Sequence, residues 1–219
     1  TFDFIMDVSE KHGLCSAFYL MSVDKPSKFD DGYAVGGGHT RRVLQRIASR
    51  GHEIGFHASY NAFRDLALAR AELGTLCEVL DEEYIAQKPI GGRQHYLRWE
   101  APLTWRIWDE LGLTYDSTVG FPYDPGFRAG TCYEYPVFDL LARTKLRLVE
   151  RPLLFMEGSM LTENCNYADS QRLVGCIGKL GVICRRFDGE LSVLWHNSNL
   201  RSARHKRLYE QVVVTSVNR

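Results

Sequence analysis

The apolar positions of this chain alternate between a helical and an extended period. Phe2, Phe4, Ile5, Met6 and Val8 recur at helical intervals, with Thr1 placed to cap that helix and Gly13 to end it. Residues 14–21 form an apolar run of strand length, followed by a polar stretch with proline and glycine as far as Gly38. Residues 40–50 return to helical spacing with Val43, Leu44 and Ile47 on one face, and Gly51 ends that pattern ahead of a short strand over residues 53–57. Strand, helix, strand in this order is a βαβ unit.

The unit repeats. Residues 63–84 predict a long amphipathic helix through Leu66, Leu68, Leu73, Leu76, Val79 and Leu80, and residues 89–93 a short strand opening into a loop. Pro102 and Gly112 bracket a helix over residues 102–111, and residues 113–118 are the next strand. Residues 120–135, rich in glycine, proline and aromatic side chains, are too long for a plain connector and are expected to cover a site. Further strands are predicted at residues 137–141, 147–155 and 191–195, and helices at 168–180 and from 202 to about 214. Alternating strands and helices imply an α/β fold with a parallel sheet and right-handed crossovers, open or curled into a barrel, and the barrel is the favoured expectation.

At 219 residues the chain suits one domain, with a core large enough to need no disulfide staples. Lys plus Arg and Asp plus Glu balance at 27 each, so no excess charge draws it to nucleic acid, and a small neutral or locally charged substrate fits better. No apolar run reaches the length of a membrane span. The six cysteines form no C-x-x-C pair and no zinc-finger spacing. They read mostly as reduced, buried structural thiols, which favours a reducing compartment. Because the chain opens directly on a helix, a strand before Thr1 is expected to complete the alternation.

Candidate chemistry centres on Gly51-His52-Glu53-Ile54-Gly55-Phe56-His57, which delivers a histidine at the carboxyl end of a buried strand, where parallel α/β folds bind ligands. His196 ends the last predicted strand in the same way, as a proton donor or as a satisfied strand-end histidine. Arg93 follows another strand, where a guanidinium can orient a carboxylate or hold a substrate oxygen; plain solvation is the alternative. Tyr123, Phe127 and Arg128 in the long loop suit a sugar ring and its hydroxyls, or serve only to anchor the loop. His12, His39, His52 and His205 are assigned to surface or local structure, and no Gly-x-Ser-x-Gly elbow or phosphate-binding lysine loop is present.

Taken together, these segments resemble the polysaccharide deacetylases, carbohydrate esterase family four. The stretch from Gly51 to Asn61 is similar to that family's Gly-His-Glu-Ile-Gly-x-His segment, and Gly92-Arg93-Gln94-His95-Tyr96 lies where it has an arginine motif. Residues 191–196 resemble its closing strand with a catalytic histidine, and residues 116–128 a substrate loop of one divergent branch. The resemblance implies a distorted (β/α)7 barrel, here lacking its first strand, that removes an N-acetyl group from an aminosugar of a cell-surface polysaccharide or its precursor. It implies a divalent metal, zinc in the first instance, with His57 as a ligand and Asn61 where the family has a second histidine. An amide oxygen is a weaker ligand for zinc than imidazole. It further implies His196 as the acid that protonates the leaving amine, Arg93 as a catalytic partner, and His95, Tyr96, Asp116, Tyr123 and Arg128 as substrate-binding residues.

The family's aspartate pair sits in a Thr-Phe-Asp-Asp-Gly motif ahead of a strand. Phe29-Asp30-Asp31-Gly32 has similar letters but follows the strand it should precede, and Thr1-Phe2-Asp3 lies on the opening helix. Asp30 and Asp31 are therefore expected on a loop surface, with the true pair upstream of Thr1. A bacterial cytoplasmic location is expected, with the periplasm or cell surface as alternatives. Two rivals stand beside this reading: an amide hydrolase acting on a small metabolite, and a barrel that binds carbohydrate without catalysis.

Overall fold

Helix α1 (Phe2–Lys11) forms where the period predicts it and buries Ile5, Met6 and Val8. The computed structural model describes residues 1–30, 32–88, 90–161 and 167–217. The chain divides into two units, one made of Cys15–Thr118 and Glu134–Arg151, the other of Thr1–Leu14, Val119–Tyr133 and Pro152–Arg219.

The first unit is built on a six-stranded sheet. Its strands are β1 (Ala17–Leu20), β2 (Glu53–Ala58), β3 (Gly91–Gln94), β4 (Tyr115–Asp116), β5 (Tyr135–Asp139) and β6 (Thr144–Glu150), in the order β1-β2-β3-β4-β6-β5. Helices α2 (Gly38–Ser49), α3 (Leu66–Glu82) and α4 (Leu103–Glu110) are the crossovers between β1, β2, β3 and β4, which run parallel. The helix predicted over residues 63–84 is two pieces, because Asp65 takes an extended conformation after a 3₁₀ turn at Ala62–Arg64 and caps α3 by accepting the Leu68 N–H at 3.0 Å. The β5–β6 pair departs from the predicted all-parallel sheet: it is antiparallel, since the connection from Asp139 to Thr144 is far too short for a crossover.

Strand alternation gives β2 two different faces. Ile54, Phe56 and Ala58 are fully buried, and the Phe56 ring lies 5.9 Å from that of Trp108 on α4. The other face carries Glu53, Gly55 and His57. There the Tyr19 ring lies against Gly55 and the Tyr115 ring against Gly91, and a Cβ at either glycine would overlap the tyrosine. The two phenolic oxygens meet at 3.1 Å, and Tyr115 donates to Glu53.

In the second unit β7 (Phe155–Met156) and β8 (Val193–Leu194) form a separate parallel pair. Helices α5 (Tyr167–Arg186) and α6 (Ala203–Val217) supply Leu173, Ile177, Leu180, Leu208 and Val212 to a core around Phe155. The predicted strand 147–155 is divided between β6 and β7, with Pro152, which has no N–H to give a ladder, between them. An α/β fold with a mostly parallel sheet is thus established; among the described residues the six-stranded sheet has β1 and β5 as its edges and no ladder closes it into a barrel. Cys132 and Cys184 are buried thiols and Cys77 and Cys176 half-buried, but Cys15 is exposed, and Cys165 lies outside the described residues. Among the described residues no helix is long and apolar enough to cross a membrane.

Candidate active site

His57 stands at the carboxyl end of β2, paired in register with Arg93 on β3. Its Nδ1 lies 2.8 Å from the Arg93 carbonyl oxygen. A carbonyl only accepts, so Nδ1 is the nitrogen that carries the donated proton. Two carboxylates hold the turn that follows: Glu72 accepts the Ser59 N–H at 2.9 Å and Asp30 accepts the Tyr60 N–H at 2.7 Å. Burial pushes the Glu72 carboxyl above its usual range against the opposing bonds from Ser59, and among the described residues its Oε1 has no hydrogen-bond partner.

Asp30 is not the surface residue expected from its place in the loop. Its side chain is 2% exposed. Oδ2 accepts the Ser27 N–H at 3.0 Å and the Ser27 hydroxyl at 2.6 Å, while Oδ1 accepts Tyr60 N–H and stands 3.1 Å from Nδ1 of His95. Burial alone would raise its pKa, but the bonds from Ser27, Tyr60 and His95 outweigh burial and hold the carboxyl below its usual range. Asp31 lies outside the described residues.

The Asp30 contact places His95 beside His57, with ring centroids 5.0 Å apart. An aromatic wall adjoins the pair. Phe29 stacks on Tyr60 at 4.2 Å, and Tyr96 meets Tyr60 edge-on at 5.5 Å and Phe29 at 5.9 Å. Tyr96 and the following Leu97 both have positive φ, 58° and 51°, an uncommon backbone for such residues, and Tyr96 is among the exposed aromatics. Asn61 is not on a helical turn with His57: it is exposed and precedes the 3₁₀ turn, with the Arg98 guanidinium 3.5 Å from its amide oxygen. The same guanidinium covers the Tyr60 ring at 3.9 Å.

Arg93 is buried, which rules out the solvated alternative. It donates to the Ser117 carbonyl at 2.6 Å and the Ser117 hydroxyl at 2.8 Å, and it lies over the Tyr19 ring at 5.1 Å. Asp116, expected to contact substrate, is instead fully buried: it pairs with Gly92 and so points to the helix-covered face, opposite His57 and Arg93. Burial pushes its pKa up to about 7 in spite of the Thr118 hydroxyl bond and the charge of Arg93. Its Oδ2 has no hydrogen-bond partner among the described residues.

The second unit holds the other expected residues. Glu157 is fully buried, and its Oε1 accepts the His196 N–H at 2.8 Å, the Asn199 amide at 2.8 Å and His196 Nδ1 at 2.7 Å. His196 is 48% exposed, so the Glu157 carboxylate orients an imidazole that reaches solvent. Trp195 packs edge-on against Tyr209 at 5.3 Å. Arg128 donates to the Gly120 carbonyl at 2.9 Å within its own loop, Phe127 packs against the core, and Tyr123 is 81% exposed.

For a metal, His57 has the tautomer and the backbone anchor that metal-bound imidazoles usually show. Among the described residues no group of three or more His, Cys, Asp or Glu side chains gathers to hold an ion, and Asn61 faces a cation. The described residues thus supply a suitable ligand but not the expected set. Reading the sequence missed Asp30, Glu72 and Glu157. The letters Phe-Asp-Asp-Gly were the signal for Asp30; Glu72 and Glu157 carry no motif.

Fold and site together define an α/β protein with functional groups at the carboxyl ends of parallel strands. A protein of Mycobacterium smegmatis provisionally designated a polysaccharide deacetylase shares the fold, with TM-score 0.65 and 18% identity over 99% of this chain and 70% of that one. A protein of Bordetella bronchiseptica provisionally designated a polysaccharide deacetylase involved in O-antigen biosynthesis aligns with TM-score 0.43 and 20% identity, over 98% and 73% of the two chains. No family model matches the chain, and neither does any curated protein. The Mycobacterium likeness shows that the chain resembles a polysaccharide deacetylase in fold.

Proposed function

We propose that the chain is a carbohydrate deacetylase, a hydrolase that removes an N-acetyl or similar acyl group from an aminosugar of a cell-surface polysaccharide or its precursor. The observation that supports this reading best is the pair of imidazoles, His57 and His95, beside the Phe29–Tyr60–Tyr96 wall, of which Phe29 and Tyr96 are exposed. Aromatic faces suit the apolar face of a sugar ring, and convergent imidazoles suit proton handling at an acyl group. His57 would hold a divalent metal, zinc by expectation, whose chemistry there is to polarise the acyl carbonyl and a water. Buried Arg93 keeps the ends of β3 and β4 in place through Ser117. His196, oriented by Glu157, is the proton donor to the departing amine, a role typically worth about 10²–10⁴-fold in rate. The distorted (β/α)7 barrel belongs to the same reading.

Acetate release from N-acetylated aminosugars and their oligomers, measured beside a panel of small formamides and cyclic amides, tests the proposal. Turnover of acetylated sugars that stops on chelation is the expected result. Turnover confined to the small amides supports a metabolite amide hydrolase, and sugar binding without any hydrolysis supports a non-catalytic carbohydrate binder.

A further inference from the structure

We infer that Cys132 and Cys184 form an oxidisable dithiol, a modification site at which a peroxide converts two buried thiols into a disulfide that fastens the long loop over residues 119–133 to the end of α5. It stands whatever the substrate. The two cysteines are far apart in sequence, yet one cluster buries both together with Leu154, and Phe127 and Leu191 pack against it. All five residues belong to the same unit.

The backbone brings the pair together. Helix α5 ends in a turn where Asp188 has a positive φ of 53°, with the Asp188 N–H donating to the Arg185 carbonyl at 3.1 Å and the Gly189 N–H to the Cys184 carbonyl at 2.8 Å. The next amide, that of Glu190, donates to the Cys132 carbonyl at 2.9 Å. Two consecutive N–H groups thus hold the carbonyls of the two cysteines, which sets their backbones side by side. Gly189 lies at the junction: a Cβ there would overlap the Cys132 sulfur, so the missing side chain is what admits that sulfur to the turn. The two thiols share a hydrogen bond, and burial first, with the neighbouring Cys132 second, pushes the Cys184 thiol above its usual range. Cys184 is 2% exposed and Cys132 6%. Such burial slows attack by any oxidant and shuts out bulky ones, but once one sulfur is oxidised the other is already in contact to resolve it.

The step balances with one hydrogen peroxide. The Cys132 sulfur, the less buried, attacks a peroxide oxygen; the S–O bond forms, the O–O bond breaks, and the departing oxygen leaves with the thiol proton as water. That sulfur is oxidised by two electrons to a sulfenic acid, and the peroxide is reduced. The Cys184 sulfur then attacks it; the S–S bond forms, the S–O bond breaks, and the hydroxyl leaves with the Cys184 proton as a second water. A bond of about 2.0 Å replaces the hydrogen bond between the sulfurs. The chain between the cysteines becomes a closed ring, and Phe127 and Arg128, just ahead of Cys132, lose freedom with it.

The test treats the whole folded protein, first reduced, with hydrogen peroxide and digests it without reductant. Mass spectrometry is expected to find one linked pair of peptides joining Cys132 to Cys184, which a thiol reductant separates. The same treatment is expected to raise Tm by about 4 °C or more, as closing a long ring implies, and reductant to reverse the rise. In Cys132→Ala and Cys184→Ala the linked pair and the rise in Tm both vanish, and in Gly189→Ala, whose methyl displaces the Cys132 sulfur, the link forms more slowly than in the wild-type protein. Recovery of both cysteines as alkylatable thiols, arrest of Cys132 at sulfinic acid, or pairing of either with another cysteine overturns the proposal, and this map of the wild-type protein decides it even where a variant fails to fold. A rise in Tm that persists in folded Cys184→Ala overturns the fastening of the loop.

Discussion

Asp116 offers the sharpest stability test, because it is a fully buried carboxyl whose Oδ2 has no partner among the described residues and whose pKa is pushed up to about 7. Replacement by asparagine keeps the shape and the oxygen that accepts from Thr118 but removes the ionisation. In the unfolded chain this carboxyl titrates near 3.9. Between about pH 4 and pH 7 the folded state therefore holds a proton that the unfolded state has lost. The stability it contributes is complete below the unfolded pKa and disappears as the pH rises through the folded one. At about 1.4 kcal/mol per unit, the contribution falls by roughly 3 kcal/mol between pH 5 and pH 8. Urea unfolding of both proteins at a series of pH values measures it, since other groups titrate alike in the two and cancel in the difference. The wild-type stability, less that of Asp116→Asn, is expected to decline by that amount across the interval. A constant difference would show that Asp116 ionises normally in its buried position and would refute the reasoning.

Asp139 runs the other way: the bond from Arg106 first, with the Leu141 and Ala142 N–H groups, holds its carboxyl down at about 2 against the effect of burial. Its contribution is present above the ordinary carboxylate range and lost as pH falls through 2, so Asp139→Asn should flatten the acid side of the stability profile seen by circular dichroism. At Gly92 an added Cβ would overlap the Phe56 carbonyl oxygen on the neighbouring strand. Gly92→Ala must push β3 away from β2, at a cost of about 1–3 kcal/mol or more, and an unchanged Tm would count against that packing. His196→Ala should abolish acetate release from a folded protein, and Glu157→Gln should lower kcat more than it alters KM; a fully active His196→Ala variant removes His196 from the mechanism.

The fold was legible wherever one segment's own pattern decided it. The period of Val43, Leu44 and Ile47 and the run ending at His57 each found their helix or strand, because burial of one face is imposed on contiguous residues. Pairing was less legible. The antiparallel β5 and the division of residues 147–155 depend on a short connection and on one proline lacking an N–H, and the apolar pattern alone does not weigh either. Asp116 was misplaced for a related reason: the face a strand residue occupies is set by its register with Gly92, a partner 24 residues away, and a one-residue change reverses it.

The candidate site shows the same division at the level of single atoms. His57 could be placed from its own strand, since a strand followed by a loop delivers its last side chains at one end of the sheet. Asp30 could not, because its position after β1 argued for a surface loop, whereas its carboxylate is held by four donors on three residues, Ser27, Tyr60 and His95. A carboxylate buried among that many donors is stabilised by the folded arrangement of other segments, so no local signal distinguishes it from a solvated one. The consequence extends to chemistry. Asn61, the residue that motif spacing set beside His57, is turned toward Arg98, while His95, which spacing made a pocket wall, is the imidazole that the fold brings against His57. Spacing along the chain located the strand ends; contacts between strands decide which side chains meet there.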